Sequence, residues 1–138
     1  MKREIKFRGK CERSDEWCYG SLVDYGYDEM PEIQGFDVFR EGNDNWKEIK
    51  VIPETVGQFT GLYDKNGKEI YEGDIGKTKE YGKFLGDKNF SGYDHFEVLL
   101  ENGGFRLENE ERIFNLTNNS HIEVIGNVHD NPELLKEK

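Results

Sequence analysis

Three histidines, two cysteines and a surplus of carboxylates are the side chains of this chain that could do chemistry. His95, His121 and His129 form no HxH or HxxxH pair. A zinc centre needs three or four convergent ligands, usually with one close pair among them, so no metal site is expected. Asp64-Lys65-Asn66-Gly67-Lys68-Glu69 has the outline of a calcium loop. In such a loop the glycine follows three oxygen ligands at alternate positions, with a glutamate several residues on. Here the glycine comes too early and Glu69 does not fit, which makes a structural turn the simpler reading. Asp24 with Asp28, or Glu108 with Glu110 and Glu111, could hold a cation. In a chain with 29 acidic residues they are more simply solvated faces. No GxSxG elbow and no glycine-rich phosphate loop occur, and no cysteine has a nameable base beside it. Cys11 and Cys18 do not make a CxxC pair, and Cys18 sits between Trp17 and Tyr19 as a small hydrophobe would. The expectation is a protein that is not an enzyme, without catalytic, cofactor-binding or metal-ligating residues.

What remains is charge. Met1–Lys10 carries a net charge of +4, residues 11–48 carry −8 and residues 90–138 carry −6, within a total of −10. A domain-wide footprint on nucleic acid needs a basic surface to neutralise phosphates, so direct nucleic-acid binding is not expected. The one basic cluster is Lys2, Arg3, Lys6 and Arg8, followed by Lys10. On a strand Lys6 and Arg8 share one face while Ile5 and Phe7 share the other. Such a strand is either an edge guarded by charge against aggregation or a surface for a partner. The second possibility makes Lys2, Arg3, Lys6 and Arg8 a partner or self-association surface, docking on the acidic surface of another copy to give a homo-oligomer.

The elements that must position these groups are strands. The chain has 138 residues, suits one domain and can remove roughly two thirds of its unfolded surface from water. It contains no alanine and 16 glycines, a composition that disfavours helix. Nine Phe, seven Tyr and two Trp supply an aromatic core beneath a polar surface. Period-two or β-branched runs occur over Ile5–Arg8, Trp17–Tyr25, Ile33–Phe39, Ile49–Ile52, Thr55–Phe59, Glu69–Tyr71, Gly73–Ile75, His95–Leu100, Phe105–Leu107 and Ile122–Val128. Ile113–Leu116 reads as a short strand or a turn. Gly20, inside a run, marks a bulge or a close backbone approach. Asn66-Gly67 predicts a two-residue hairpin turn, and Asn102-Gly103-Gly104 predicts another hairpin. Residues 76–93 read as a long loop or hairpin tip. Asn131 followed by Pro132 predicts an N-cap and a short C-terminal helix. Many short strands with tight turns imply a mainly β fold, a small barrel or bent antiparallel sheets.

REIKFRGK (Arg3–Lys10), VIPETVGQFTGLYDKNGKEIYEGDI (Val51–Ile75) and IEVIGNVHDNPELL (Ile122–Leu135) resemble the YopX family of bacteriophage and prophage proteins, in the same order and spacing. The resemblance implies one YopX-like domain over residues 1–138. Residues 1–48 would be N-terminal strands and acidic loops, 49–128 an SH3-like β-barrel and 129–138 the terminal helix and tail. It also implies homo-oligomers, and it carries over no catalytic residue. Fold alone assigns no activity.

These observations lead to a phage accessory protein that is a non-enzymatic, oligomeric binding module for a host or phage protein. One alternative is an acidic DNA mimic that inhibits a host DNA-acting enzyme; another is a small metal-dependent hydrolase. No stretch approaches the roughly 18 apolar residues of a membrane span, and Met1–Lys10 lacks the apolar run of a secretory signal. With reduced thiols this places the expected site of action in the cytoplasm of the bacterial host.

Overall fold

The computed structural model describes residues 4–26, 29–42, 45–78, 94–109, 113–116 and 122–136. Eleven strands are found there: β1 (Phe7–Lys10), β2 (Trp17–Val23), β3 (Glu32–Phe36), β4 (Trp46–Lys50), β5 (Gly57–Tyr63), β6 (Glu69–Tyr71), β7 (Asp74–Thr78), β8 (Asp94–Glu101), β9 (Gly104–Glu108), β10 (Ile113–Asn115) and β11 (Glu123–Asn127). They form two antiparallel sheets, ordered β4-β3-β2-β1-β5-β6 and β10-β9-β8-β7-β11. The chain divides into two compact units, Met1–Gly61 and Leu62–Lys138, each with its own hydrophobic cluster.

In the first unit, pairing register explains which residues go inside. Gly9 faces Cys18, Phe7 faces Gly20, Leu22 faces Ile33 and Ile33 faces Ile49. Side chains directly opposite one another share a face. That face therefore holds Phe7, Cys18, Leu22, Ile33 and Ile49, which pack with Cys11, Val38 and Val51 into the core. Gly20 is a close approach and not a bulge, because a Cβ there would come within 2.6 Å of the Gln34 carbonyl oxygen. The cysteines are buried free thiols in this core. Burial first, then Cys11 and Glu16, pushes the Cys18 thiol up to about 12, so it stays protonated and packs as a hydrophobe.

The second unit's core is Ile70, Phe96, Val98, Leu107, Ile122 and Val124. Gly76 on β7 lies opposite Phe96 and Val124, and the Ile122 side chain fills the space a Cβ would need. The expected hairpins are both present, with different turns. Asn102 and Gly103 each have positive φ (52° and 81°) and join β8 to β9 as a two-residue turn. At Asn66-Gly67 only Gly67 has positive φ (82°). Asp64 N–H donates to Lys68 O and Gly67 N–H to Asp64 O, a three-residue loop and not the predicted two-residue one. The Asp64 side chain explains the difference: its Oδ1 accepts from the N–H groups of Asn66 (2.8 Å) and Lys68 (2.9 Å). That pattern stabilises an ordinary β-turn ahead of the glycine.

Three expectations need correcting. No barrel closes among the described residues. The two sheets keep separate hydrogen-bonded orders, and the first curls back on itself only at an isolated Cys11–Val51 bridge. The positive-φ Asp37 and Arg40 lie in the connection between β3 and β4 and not in a ladder that could close a barrel. The C-terminal helix is a 3-10 turn, Pro132–Lys136. Its Leu134 N–H donates to Asn131 O, an i to i+3 bond. So short a segment cannot offset the cost of nucleating an α-helix. The loop expected over residues 76–93 begins later, since β7 runs to Thr78, and its remainder lies outside the described residues.

Candidate binding face

The side chains that alternate with the first unit's core lie on the opposite face of its sheet. Register places Arg8 beside Tyr19, Lys10 beside Trp17, Ser21 beside Gln34, and Phe36 beside Trp46. At β3 and β4 this face carries two large exposed aromatics. Phe36 is 65% and Trp46 52% exposed, and their rings meet edge to face at 5.1 Å. Neither belongs to the core, yet cross-strand pairing fixes them together.

Beside the aromatic pair runs a row of polar groups. Trp46 Nε1 donates to Glu48 Oε1 (3.3 Å). Gln34 Nε2 donates to the Tyr25 hydroxyl (3.1 Å) and to Glu32 Oε1 (3.0 Å). An open groove of about 370 Å³ borders Phe36 and includes Ile5, Tyr19, Ser21 and Arg40. A second cavity of about 300 Å³ has Glu12, Glu32 and Glu48 in its wall, with Arg13 and Lys50.

The unit's cations are mostly turned onto its own rings. Arg40 lies 3.6 Å from the centroid of Tyr19, Arg8 4.7 Å and Lys10 5.7 Å from Trp17, Lys6 4.9 Å from Phe59 and Lys47 5.1 Å from Phe39. Cation–π stacking of this kind keeps the positive heads close to the surface of the sheet. Lys6 also pairs with Glu4 at 3.2 Å. Arg8 is buried, with its guanidinium over Trp17. Lys2 and Arg3, expected beside them, lie outside the described residues.

The other sequence candidates fall in scattered places. His95 Nδ1 donates to the Leu134 carbonyl (2.7 Å), tying β8 to the C-terminal turn. His129 N–H donates to Asn127 Oδ1 in a turn. His121, Asp28, Glu110 and Glu111 lie outside the described residues. Asp24 accepts from Gly26 N–H within its own loop. Among the described residues no group of three or more His, Cys, Asp or Glu side chains is placed to hold a metal ion. The calcium-like segment is a staple: Asp64 Oδ2 accepts from Val124 N–H (2.9 Å), so both carboxylate oxygens serve backbone donors. Glu108 faces Glu97 across β8 and β9. Burial, then Glu108 and Glu72, raises the Glu97 carboxyl above its ordinary range. No described helix is long and apolar enough to cross a membrane.

Sequence reasoning missed Phe36 and Trp46 as surface residues. Phe36 sits in a β-prone run, where an aromatic is expected to face inward, and Trp46 follows a turn-like cluster. Only the register of β3 against β4 shows that both share the face away from the core.

Comparison with known proteins adds three findings. The crystal structure of protein EF1440 from Enterococcus faecalis is similar, with a TM-score of 0.56 and 25% sequence identity, covering 97% of this chain and 99% of that one. No curated protein matches. A family model described as YopX protein matches residues 6–136, nearly the whole chain.

Proposed function

The chain belongs to the YopX protein family, and from that premise we propose that it is a phage- or prophage-encoded, non-enzymatic binding module. It engages a host or phage macromolecule in the bacterial cytoplasm through the outer face of the first unit's sheet. One observation carries this reading: Phe36 and Trp46 are held edge to face, more than half exposed, beside an open groove. Large aromatics outside the core, clustered and pre-positioned, are the residue types that dominate binding energy at protein interfaces.

The carboxylates divide between the units. Glu12, Glu32 and Glu48 flank one cavity, and Glu97 and Glu108 face each other on another sheet. For this reason the aromatic pair, and not an acidic stripe of the kind a DNA mimic requires, supports the reading best.

The test is crosslinked capture from phage-bearing host cells with the wild type and a Phe36→Ser/Trp46→Ser variant, with circular dichroism as a check on folding. The specific partner should disappear from the variant while the spectrum and melting temperature stay close to wild type. An unchanged set of captured proteins would reject this face as the binding surface. Native mass spectrometry of the same pair reads whether a homo-oligomer forms and whether it uses this face.

A further inference from the structure

The geometry points to the outer edge of β4 as a docking edge for an extended, basic segment of a partner protein, which adds to the sheet as a further strand. This inference rests on the binding face proposed above and names the class of partner and its mode of attachment.

The edge follows from the hydrogen bonds at the end of β4. Val51 N–H donates to Pro31 O, on the β3 side, while Lys50 O accepts from Glu12 N–H, on the other side. Backbone groups alternate along a strand, so Glu48 and Trp46 also direct their N–H and C=O groups away from β3. β4 is the last strand of its sheet. Among the described residues, the chain's own segment pairs with this side only near Lys50 and Val51, through the Cys11–Val51 bridge. Beyond Glu12 the chain enters a turn and leaves the line of β4. An incoming strand would continue that line past Glu48 and Trp46. Strand addition of this kind draws its affinity from main-chain bonds and its specificity from alternate side chains.

The side chains beside the edge define what those alternate residues should be. Trp46 and Phe36 offer an apolar platform at one end. Glu48, hydrogen-bonded to Trp46, and Glu32, on the same cavity wall, offer carboxylates further along. Lys6, Arg8, Lys10, Arg40 and Lys47 lie over the unit's rings, and on the cavity wall the three carboxylates of Glu12, Glu32 and Glu48 outnumber the two cations, Arg13 and Lys50, which favours a basic segment from outside. A Lys or Arg over Glu48, with a β-branched or aromatic residue two positions away over Trp46, satisfies both ends in an extended chain. Complementary charge of this kind also speeds encounter and excludes acidic segments.

The test uses a fluorescein-labelled peptide in which lysine and isoleucine recur two positions apart on one face, Ac-SKTITKTIG-NH2, titrated into the full chain with fluorescence anisotropy and amide chemical shifts as readouts. Saturable binding is expected, with the largest shifts at the Trp46 and Glu48 amides. Affinity should fall about ten-fold or more, some 1.4 kcal/mol, for Glu48→Lys and for Trp46→Ala. It should also be lost when alternate peptide nitrogens are methylated, and it should be unchanged for Ile113→Ser in the second unit. Equal binding of the glutamate counterpart Ac-SETITETIG-NH2, or equal affinity of the methylated peptide, would overturn the proposal. A self-association abolished by Glu48→Lys would likewise overturn it, by assigning the edge to a second copy. If the peptide fails while cellular capture still depends on Phe36 and Trp46, strand addition falls and the binding face stands. If both fail, the face falls with it.

Discussion

Glu97 shows what a single residue contributes here. Its carboxyl is half-buried opposite Glu108, and burial, then Glu108 and Glu72, raises its pKa. A carboxyl whose folded pKa is raised binds its proton more tightly in the folded state. Its favourable contribution is full below the unfolded carboxylate pKa and is lost as pH rises through the raised value. At neutral pH the ionised Glu97 therefore works against folding. Glu97→Gln is expected to be more stable than wild type at pH 7, with the advantage shrinking towards about pH 4, where the wild-type carboxyl takes up its proton. Urea unfolding at the two pH values measures this; an equal difference at both would exclude the charge as the cause. Little of this was legible in the sequence, because the opposition of Glu97 and Glu108 depends on hairpin register and not on spacing.

At the scale of elements, turns were the most readable feature and their details the least. Asn66-Gly67, Gly73-Asp74 and Asn102-Gly103 all lie at strand ends where glycine supplies positive φ, as their types foretold. The loop length at Asn66-Gly67 differed because the Asp64 side chain binds two N–H groups of the turn, a local competition that dipeptide preference does not register. Its other oxygen binds Val124 N–H, sixty residues away and invisible to any local pattern. Asp64→Ala strands three backbone donors, two at a turn and one in a buried strand. We expect a loss of about 2–4 kcal/mol in unfolding free energy, on the basis of about 1–3 kcal/mol for a single buried unsatisfied group. Asp64→Asn should lose less, since one oxygen still caps the turn. A thermal or urea melt of both variants orders them, and an Asn variant as weak as Ala would contradict the division of roles between the two oxygens. The same logic covers the binding face. Phe36 and Trp46 are ordinary β-prone residues until β3 and β4 are set in register.

At the scale of the molecule, composition correctly indicated a mainly β protein, and the resemblance identified the family. A closed barrel did not follow, because many short strands satisfy their hydrogen bonds equally well as two sheets with separate cores. Two cores predict two cooperative sets of slowly exchanging amides. Val98→Ala, a truncation in the second core, should cost about 1–3 kcal/mol and lower protection first in β7, β8, β9 and β11. Hydrogen exchange followed by mass spectrometry reads this directly. A uniform loss across β1 to β4 as well would show a single cooperative unit. The Asp64–Val124 bond also bears on how the protein is made. The strands β1 to β5 of the first sheet are available once Tyr63 has been synthesised, whereas Asp64 and β7 must wait at the ribosome for partners near the C-terminus. A nascent chain halted before Val124 would hold the first sheet complete and the second with β7 as a bare edge.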